Sequence, residues 1–253
     1  MKLLVDMHVH TIASGHAYST ILEIARAARE KGLEGVAITD HGPAMPGGPH
    51  GYHFSNMRRL PPVVEGVRIF RGVEANIMDT GGRLDMEPRY LKHLELILAG
   101  FHVDCFPPGR SVAENTRALV NAMASGWVDI IVHPGNPQFQ IDAEAVVKAA
   151  KEYEVALEIN NSSLTGSRQG SLEVCPQIAR LAGKMEILVS LGSDSHWAGD
   201  VGELEAALSL VLEAGIKPEN ILNTSVAKVE EFIARRQQVR PKGKRSTEKP
   251  ALV

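Results

Sequence analysis

The chain has 253 residues, 44% of them hydrophobic and 23% charged, with a net charge of −3 and two cysteines far apart, Cys105 and Cys175. That length supports one large domain with its own core, and α/β barrels often use this much chain as one unit. A disulfide framework is excluded as the basis of the fold, a reducing compartment fits, and the overall charge makes no case for a nucleic-acid binder. No apolar run is long enough to span a membrane, and the first twenty residues lack the basic-then-apolar pattern of a signal peptide. A cytoplasmic location is the default expectation. The charge is uneven: residues 235–253 carry seven bases against one acid, a net +6 that leaves −9 on the rest. Two prolines and almost no large apolar residues in that stretch predict a basic, disordered tail, 235–253, behind a domain of residues 1–234.

Strand-like apolar runs alternate with amphipathic helices along the chain. The first run, 3–7, is followed by a helix opened by Thr20 and Glu23 in capping-box spacing, with Gly32 as its stop. Further strands are predicted at 36–39, 67–73, 94–99, 128–132, 155–159 and 187–191. Helices are predicted near 113–124, 142–153, 172–182 and 203–214, with a shorter one at 54–60. Seven such units predict parallel βα repeats, arranged as a distorted seven-stranded (β/α)7 TIM-like barrel; an open doubly wound sheet is the alternative.

Each run ends in a polar marker: His8 and His10, Asp40 and His41, Glu74, His102, His133, Asn160 and Asn161, then Asp194 and His196. The markers recur about every thirty residues, the length of one βα unit. They therefore share the C-terminal face of a parallel barrel, where active sites sit. Burying so many ionisable groups together would cost several kcal/mol per charge without a counter-ion. Bound cations resolve that cost. His8, His10, His16, His41, Glu74, His102, His133, Asp194 and His196 make nine candidate donors. One ion takes about four or five, so nine imply at least two ions, and three if Glu74 bridges. Imidazole and carboxylate without thiolate suit zinc, manganese or iron alike.

The stretches Asp6-Met7-His8-Val9-His10-Thr11, Ile38-Thr39-Asp40-His41, Gly72-Val73-Glu74-Ala75-Asn76, Ile131-Val132-His133-Pro134 and Gly192-Ser193-Asp194-Ser195-His196 resemble the PHP (polymerase and histidinol phosphatase) family. The resemblance runs from near residue 2 to about residue 235. Asp40-His41-Gly42-Pro43, Ala99-Gly100-Phe101-His102 and Glu158-Ile159-Asn160-Asn161-Ser162-Ser163 look closer still to its YcdX-like branch of stand-alone phosphatases. The resemblance implies a metal-dependent hydrolase acting on a small phosphomonoester through a trinuclear centre, zinc first, manganese or iron also admitted. It implies that His8, His10, Glu74 and Asp194 hold one ion, that Glu74 bridges to a second held by His102 and His133, and that His16, His41 and His196 hold a third. Glu74, Asp194 and His196 are the expected catalytic residues, with hydroxide bridging two metals as the nucleophile.

Arg168, after the sixth strand, is a candidate for the substrate phosphate, against the plainer reading of an exposed loop arginine. Asp6 and Asp40 are candidates to orient ligand imidazoles. The Gly- and Pro-rich stretch 42–53 reads as a lid or specificity loop. A small phosphate ester is the expected partner, with no membrane or nucleic acid; a homo-oligomer is left open. The competing readings are a PHP-type phosphodiesterase or exonuclease, a histidinol-phosphate phosphatase, a C–N amidohydrolase and a non-catalytic metal-binding module.

Overall fold

The structure is a computed structural model that describes residues 1–241. Its strands are β1 (Val5–Val9), β2 (Gly35–Ile38), β3 (Val63–Val64), β4 (Val67–Asn76), β5 (Leu96–Gly100), β6 (Ile130–Ile131), β7 (Ala156–Asn160) and β8 (Val189–Gly192). Its helices are α1 (Ile21–Glu30), α2 (Gly51–Asn56), α3 (Pro88–Leu91), α4 (Val112–Ala124), α5 (Ala143–Glu152), α6 (Asn161–Thr165), α7 (Ser171–Met185), α8 (Glu205–Glu213) and α9 (Val226–Val239). Seven strands pair in parallel in the order β1-β2-β4-β5-β6-β7-β8, and β3 forms a short antiparallel hairpin with the start of β4.

The seven predicted strands and the longer predicted helices are present. α1 starts from the expected capping box: the Thr20 hydroxyl accepts from Glu23 N–H, and the Glu23 carboxylate accepts from Thr20 N–H at 2.7 Å. Along β4, β5 and β7 the side chains alternate as a half-buried pleat dictates. Ile69, Val73, Ile97, Leu157 and Ile159 face the surrounding helices, while Phe70, Leu96, Leu98 and Ala156 fill the barrel interior.

The ring closes between β1 and β8, which decides against the open sheet. At the top, His10 N–H donates to the Ser195 carbonyl at 2.9 Å and Asp194 N–H donates to the His8 carbonyl at 2.9 Å. Lower down the strands part, and Asn223 fills the seam. Its Oδ1 accepts from Leu191 N–H at 2.8 Å, and its Nδ2 donates to the Val5 and Leu191 carbonyls at 2.8 and 2.7 Å. Its own carbonyl accepts from Leu4 N–H at 2.8 Å. One buried amide thus does the bonding of a missing eighth strand. Asp6 ties the same seam: its carboxylate accepts from the N–H groups of Ser193 and Gly202 at 3.0 and 2.8 Å. It bonds the backbone of the seam and not a ligand imidazole, which corrects the sequence expectation.

The floor of the barrel is α9, whose Val229, Phe232 and Ile233 pack under Val5, Phe70, Leu96 and Ile130. This moves the domain boundary expected at residue 234. Arg235 lies within the helix, and Arg236 and Arg240 are buried. Asp129 pairs with both guanidinium groups, which also donate to the Val128, Tyr153, Leu94 and Glu95 carbonyls. Local composition read as a tail is here a helix held by a partner more than a hundred residues away. The rest of the expected tail, residues 242–253, lies outside the described residues.

Candidate metal centre and active site

The strand ends bring the sequence markers together at the top of the barrel. Two of the positions sit in strained backbone: Asp194 has φ 57° and His133 φ 34°. Non-glycine residues held there cost about 1–3 kcal/mol each and persist where the surroundings over-determine them. The strain turns both side chains off the strand ends into the mouth. Small residues make the room: a Cβ on Gly192 would lie 2.4 Å from the His8 Cβ and 2.3 Å from a Glu158 carboxylate oxygen.

Four donor atoms converge from three strand ends. His8 Nε2 and His10 Nε2 lie 3.1 Å apart, and each is 3.4 Å from Glu74 Oε2. Asp194 Oδ1 stands 3.7 Å from His8 Nε2 and 3.2 Å from His10 Nε2. Ligands on a tetrahedral ion with bonds of about 2.1 Å are themselves about 3.4 Å apart. The ring nitrogens have their protons elsewhere. His8 Nδ1 lies 2.8 Å from Glu158 Oε1, an acceptor, so its N–H points there and its Nε2 lone pair faces the cluster. His196 Nδ1 likewise donates to the Asp194 carbonyl at 2.9 Å. Lone pairs and carboxylate oxygens facing one another in a buried pocket call for a cation. Glu74 Oε2 and His41 Nδ1 carry the same message: both are buried and neither has a hydrogen-bond partner, although they are 2.7 Å apart.

The other oxygen of Glu74 serves a second group. Oε1 is 2.8 Å from His133 Nε2 and 3.1 Å from His102 Nε2. A third group is formed by donor atoms of His10, His41 and His196, all within 4.8 Å of one another. His16 stacks beside it at the open edge, its ring centroid 5.0 Å from His41 and 4.9 Å from His196. His41 stands between groups, since it also joins Glu74 and His102. All nine sequence candidates therefore lie in one cluster.

Electrostatics fit cation binding. Burial would raise the Glu74 carboxyl, but the imidazoles of His102, His41 and His8 outweigh it and hold the group well below its ordinary range. Burial likewise fails to raise Asp194, which His8 and Arg168 hold well below its usual value. His10 is pushed down to about 3 by burial and by His41, and His133 to about 3 by burial and the charge of Arg168. Both rings stay neutral and able to ligate. His8 goes the other way: Glu158, Glu74 and Asp194 outweigh burial and raise it well above its ordinary value. The spot attracts positive charge, so a proton and a metal ion would compete for it.

Supporting residues only partly follow the sequence expectation. Glu158, the inward residue of β7, was not singled out there. Its Oε1 holds His8, while its Oε2 accepts from His133 N–H at 2.8 Å and from Asn160 Nδ2 at 3.1 Å. Its signal was a carboxylate two residues before a marker, on the same strand face. Asp40 contacts no ligand ring; it accepts from Thr11, from the Ser14 hydroxyl at 2.7 Å and from His53 Nε2 at 3.2 Å.

Arg168 is not an exposed loop residue. Its Nη1 donates to Asp194 Oδ2 at 3.0 Å, Ser163 Oγ at 3.1 Å and Asn160 Oδ1 at 3.3 Å. With His196 it lines a cavity of about 310 Å3 whose other walls include Met45, Phe101, Asn136 and Phe139. Met45 comes from the Gly- and Pro-rich stretch, which Asp85 anchors through Ala44 N–H at 2.9 Å. The stretch thus contributes a wall of the cavity through Met45. Trp197 points outward, 58% exposed.

Known proteins share these motifs and this fold. Residues 6–162 match the PHP domain family. A probable phosphatase of Caldanaerobacter subterraneus subsp. tengcongensis is 50% identical over 238 residues, 94% of each chain. One from Aeromonas hydrophila is 50% identical over 236 residues, covering 93% of this chain and 96% of its own. Among solved structures, the fold is similar to a histidinol phosphate phosphatase from Lactococcus lactis, crystallised with zinc, L-histidinol and phosphate. That match has a TM-score of 0.58 and 14% identity, and covers 84% of this chain and 94% of the other. Matched over more than half its length by the family and at 50% identity by full-length relatives, the chain belongs to the PHP domain family.

Proposed function

We propose that this PHP-domain phosphatase hydrolyses a small phosphomonoester at a trinuclear metal centre, with zinc the first candidate. In this reading His8, His10, Glu74 and Asp194 hold one ion, Glu74, His102 and His133 a second, and His16, His41 and His196 a third. The observation that carries it is Glu74, whose two oxygens face two different sets of imidazoles at 2.7–3.4 Å. Divalent ions in such a cluster supply an activated water near neutral pH and neutralise charge on the phosphoryl oxygens.

The chain's own groups do the rest. Arg168 is held in place by Asn160, Ser163 and Asp194. It presents the remaining guanidinium donors to a phosphate oxygen in the cavity, and a pre-set fork loses little on binding. Asp194 stands between Arg168 and His10, so one carboxylate fixes both the substrate-side cation and a metal-side ring. His196, held through Nδ1 by the Asp194 carbonyl, lines the cavity on the leaving-group side. Met45, Phe101 and Phe139 exclude water around the organic part of the ester.

Two buried free thiols support a reducing, cytoplasmic setting. Among the described residues no helix is long and apolar enough to cross a membrane.

The test is inorganic phosphate release from an aryl phosphomonoester, with zinc or manganese added, a chelator control and an aryl phosphodiester in parallel. Metal-dependent release from the monoester, abolished by chelation, is expected. Release from the diester alone overturns the monoester reading.

A further inference from the structure

Beneath the histidine cluster lies a hydroxyl whose bonding capacity is fully used. The turn Ile12–Ser14 is capped by Thr11, whose side chain accepts from Ala13 N–H, and it ends at Gly15 with φ 82°. Gly47 packs against that glycine so closely that a Cβ there would lie 2.6 Å from the Gly47 carbonyl oxygen. The turn brings Ser14 Oγ to 2.7 Å from Asp40 Oδ1, 3.2 Å from His41 N and 3.1 Å from His10 Nδ1. A serine hydroxyl has one proton and two lone pairs. Asp40 is also bonded by the Thr11 N–H and hydroxyl and by His53 Nε2, and as a carboxylate it can only accept. The proton of Ser14 is therefore committed to Asp40, and one lone pair to His41 N–H. Toward His10 the hydroxyl can only accept. The proton of His10 must then sit on Nδ1, with its Nε2 lone pair facing Glu74 and Asp194.

We propose that Ser14 and Asp40 are positioning residues that fix the tautomer of His10, and that His53 anchors the Gly- and Pro-rich stretch to the same carboxylate. This rests on the reading of His10 as a metal ligand. Ser14 and Asp40 touch neither substrate nor metal; they act through the ring.

The test uses full-length protein, stripped of metal and reloaded, with zinc affinity measured by competition against a chromophoric chelator. The tautomer of His10 in the metal-free protein is read from its ring 15N shifts. Ser14→Ala is expected to weaken one zinc by about 10–100-fold and to leave His10 a mixture of tautomers. Asp40→Ala is the sharper variant. It removes the acceptor of the serine proton, which is then free to turn to His10 Nδ1 and place the ring proton on Nε2. It should lose at least as much affinity, with a reversed 15N pattern. His53→Gln retains a donor and should stay near wild type. If Ser14→Ala binds zinc within twofold of wild type with His10 still protonated on Nδ1, the positioning role is overturned while the metal centre stands. Wild-type protein that takes up no zinc or manganese overturns both readings. Should Asp40→Ala fail to fold, Ser14→Ala decides alone.

Discussion

Glu158 offers a direct test of how the first metal group is prepared. Its carboxylate accepts three hydrogen bonds, from His8 Nδ1 on one oxygen and from His133 N–H and Asn160 Nδ2 on the other. Glu158→Gln has nearly the same shape but replaces one oxygen with an N–H donor. If the amide nitrogen turns toward His133, it meets a backbone N–H that cannot accept. If it turns toward His8, that ring can keep the bond only by offering its Nδ1 lone pair, which moves its proton to Nε2 and into the donor cluster. The backbone cannot adapt, so the ring gives way. Loss of such an orienting partner weakens metal binding by about 10–100-fold, or about 1.4–2.7 kcal/mol. Chelator competition and metal content per chain would measure it, with thermal unfolding of the metal-free variant as a check on the fold. A Glu158→Gln protein that folds and binds its full metal complement with wild-type affinity would refute the argument.

Glu74→Gln should lower the occupancy of two ions together and reduce turnover by orders of magnitude; loss of one ion alone, by metal analysis, would remove the bridging role. Arg168→Ala removes a charge-assisted contact worth about 1.5–3 kcal/mol and should raise KM for a phosphomonoester by about 10–100-fold; an unchanged KM takes Arg168 out of the substrate site. Asn223→Ala strips three backbone groups of their partners in the buried seam and should destabilise the protein by about 3–5 kcal/mol, seen as a lower urea midpoint with little change in slope. For the metal-free protein, His10 and His133 are held near 3 in the fold against about 6.5 when unfolded. Below pH 6.5 the unfolded chain takes up protons that the folded chain refuses there, so stability falls as pH falls from 6.5 toward 3. His8, raised in the fold, acts above that window and adds no slope within it. Urea unfolding at pH 6.5, 5.5 and 4.5 checks the sign, and rising stability toward pH 4.5 would contradict it.

The strand-end periodicity exposed the barrel and its nine donors because both are local: a marker follows an apolar run, and parallel topology does the gathering. The residues that sequence reading missed depend on distant partners. Glu158 sits among apolar neighbours in β7, and only the pleat says that it faces inward with Asn160. Arg236 and Arg240 look like tail charges until Asp129 is seen beneath them. Asn223 is a plain polar residue until β1 and β8 are found to part. Arg168 was visible by type but not by placement, because its partners Asp194 and Ser163 fix it only after the loop has folded.

The seam also governs when this enzyme can exist. Asn223 Nδ2 bonds a carbonyl 218 residues earlier in the chain, and Arg236 bonds one 108 residues earlier. A ring whose ends meet only through such distant contacts must bear the entropy of a very long loop before any closing bond forms. During synthesis β1 therefore waits, its edge unpaired, until nearly all of the described chain has emerged. Exposed edges are where chains pair wrongly with one another. His8 and His10 can reach Asp194 only after that wait, so the donor group they share with it is assembled late in folding.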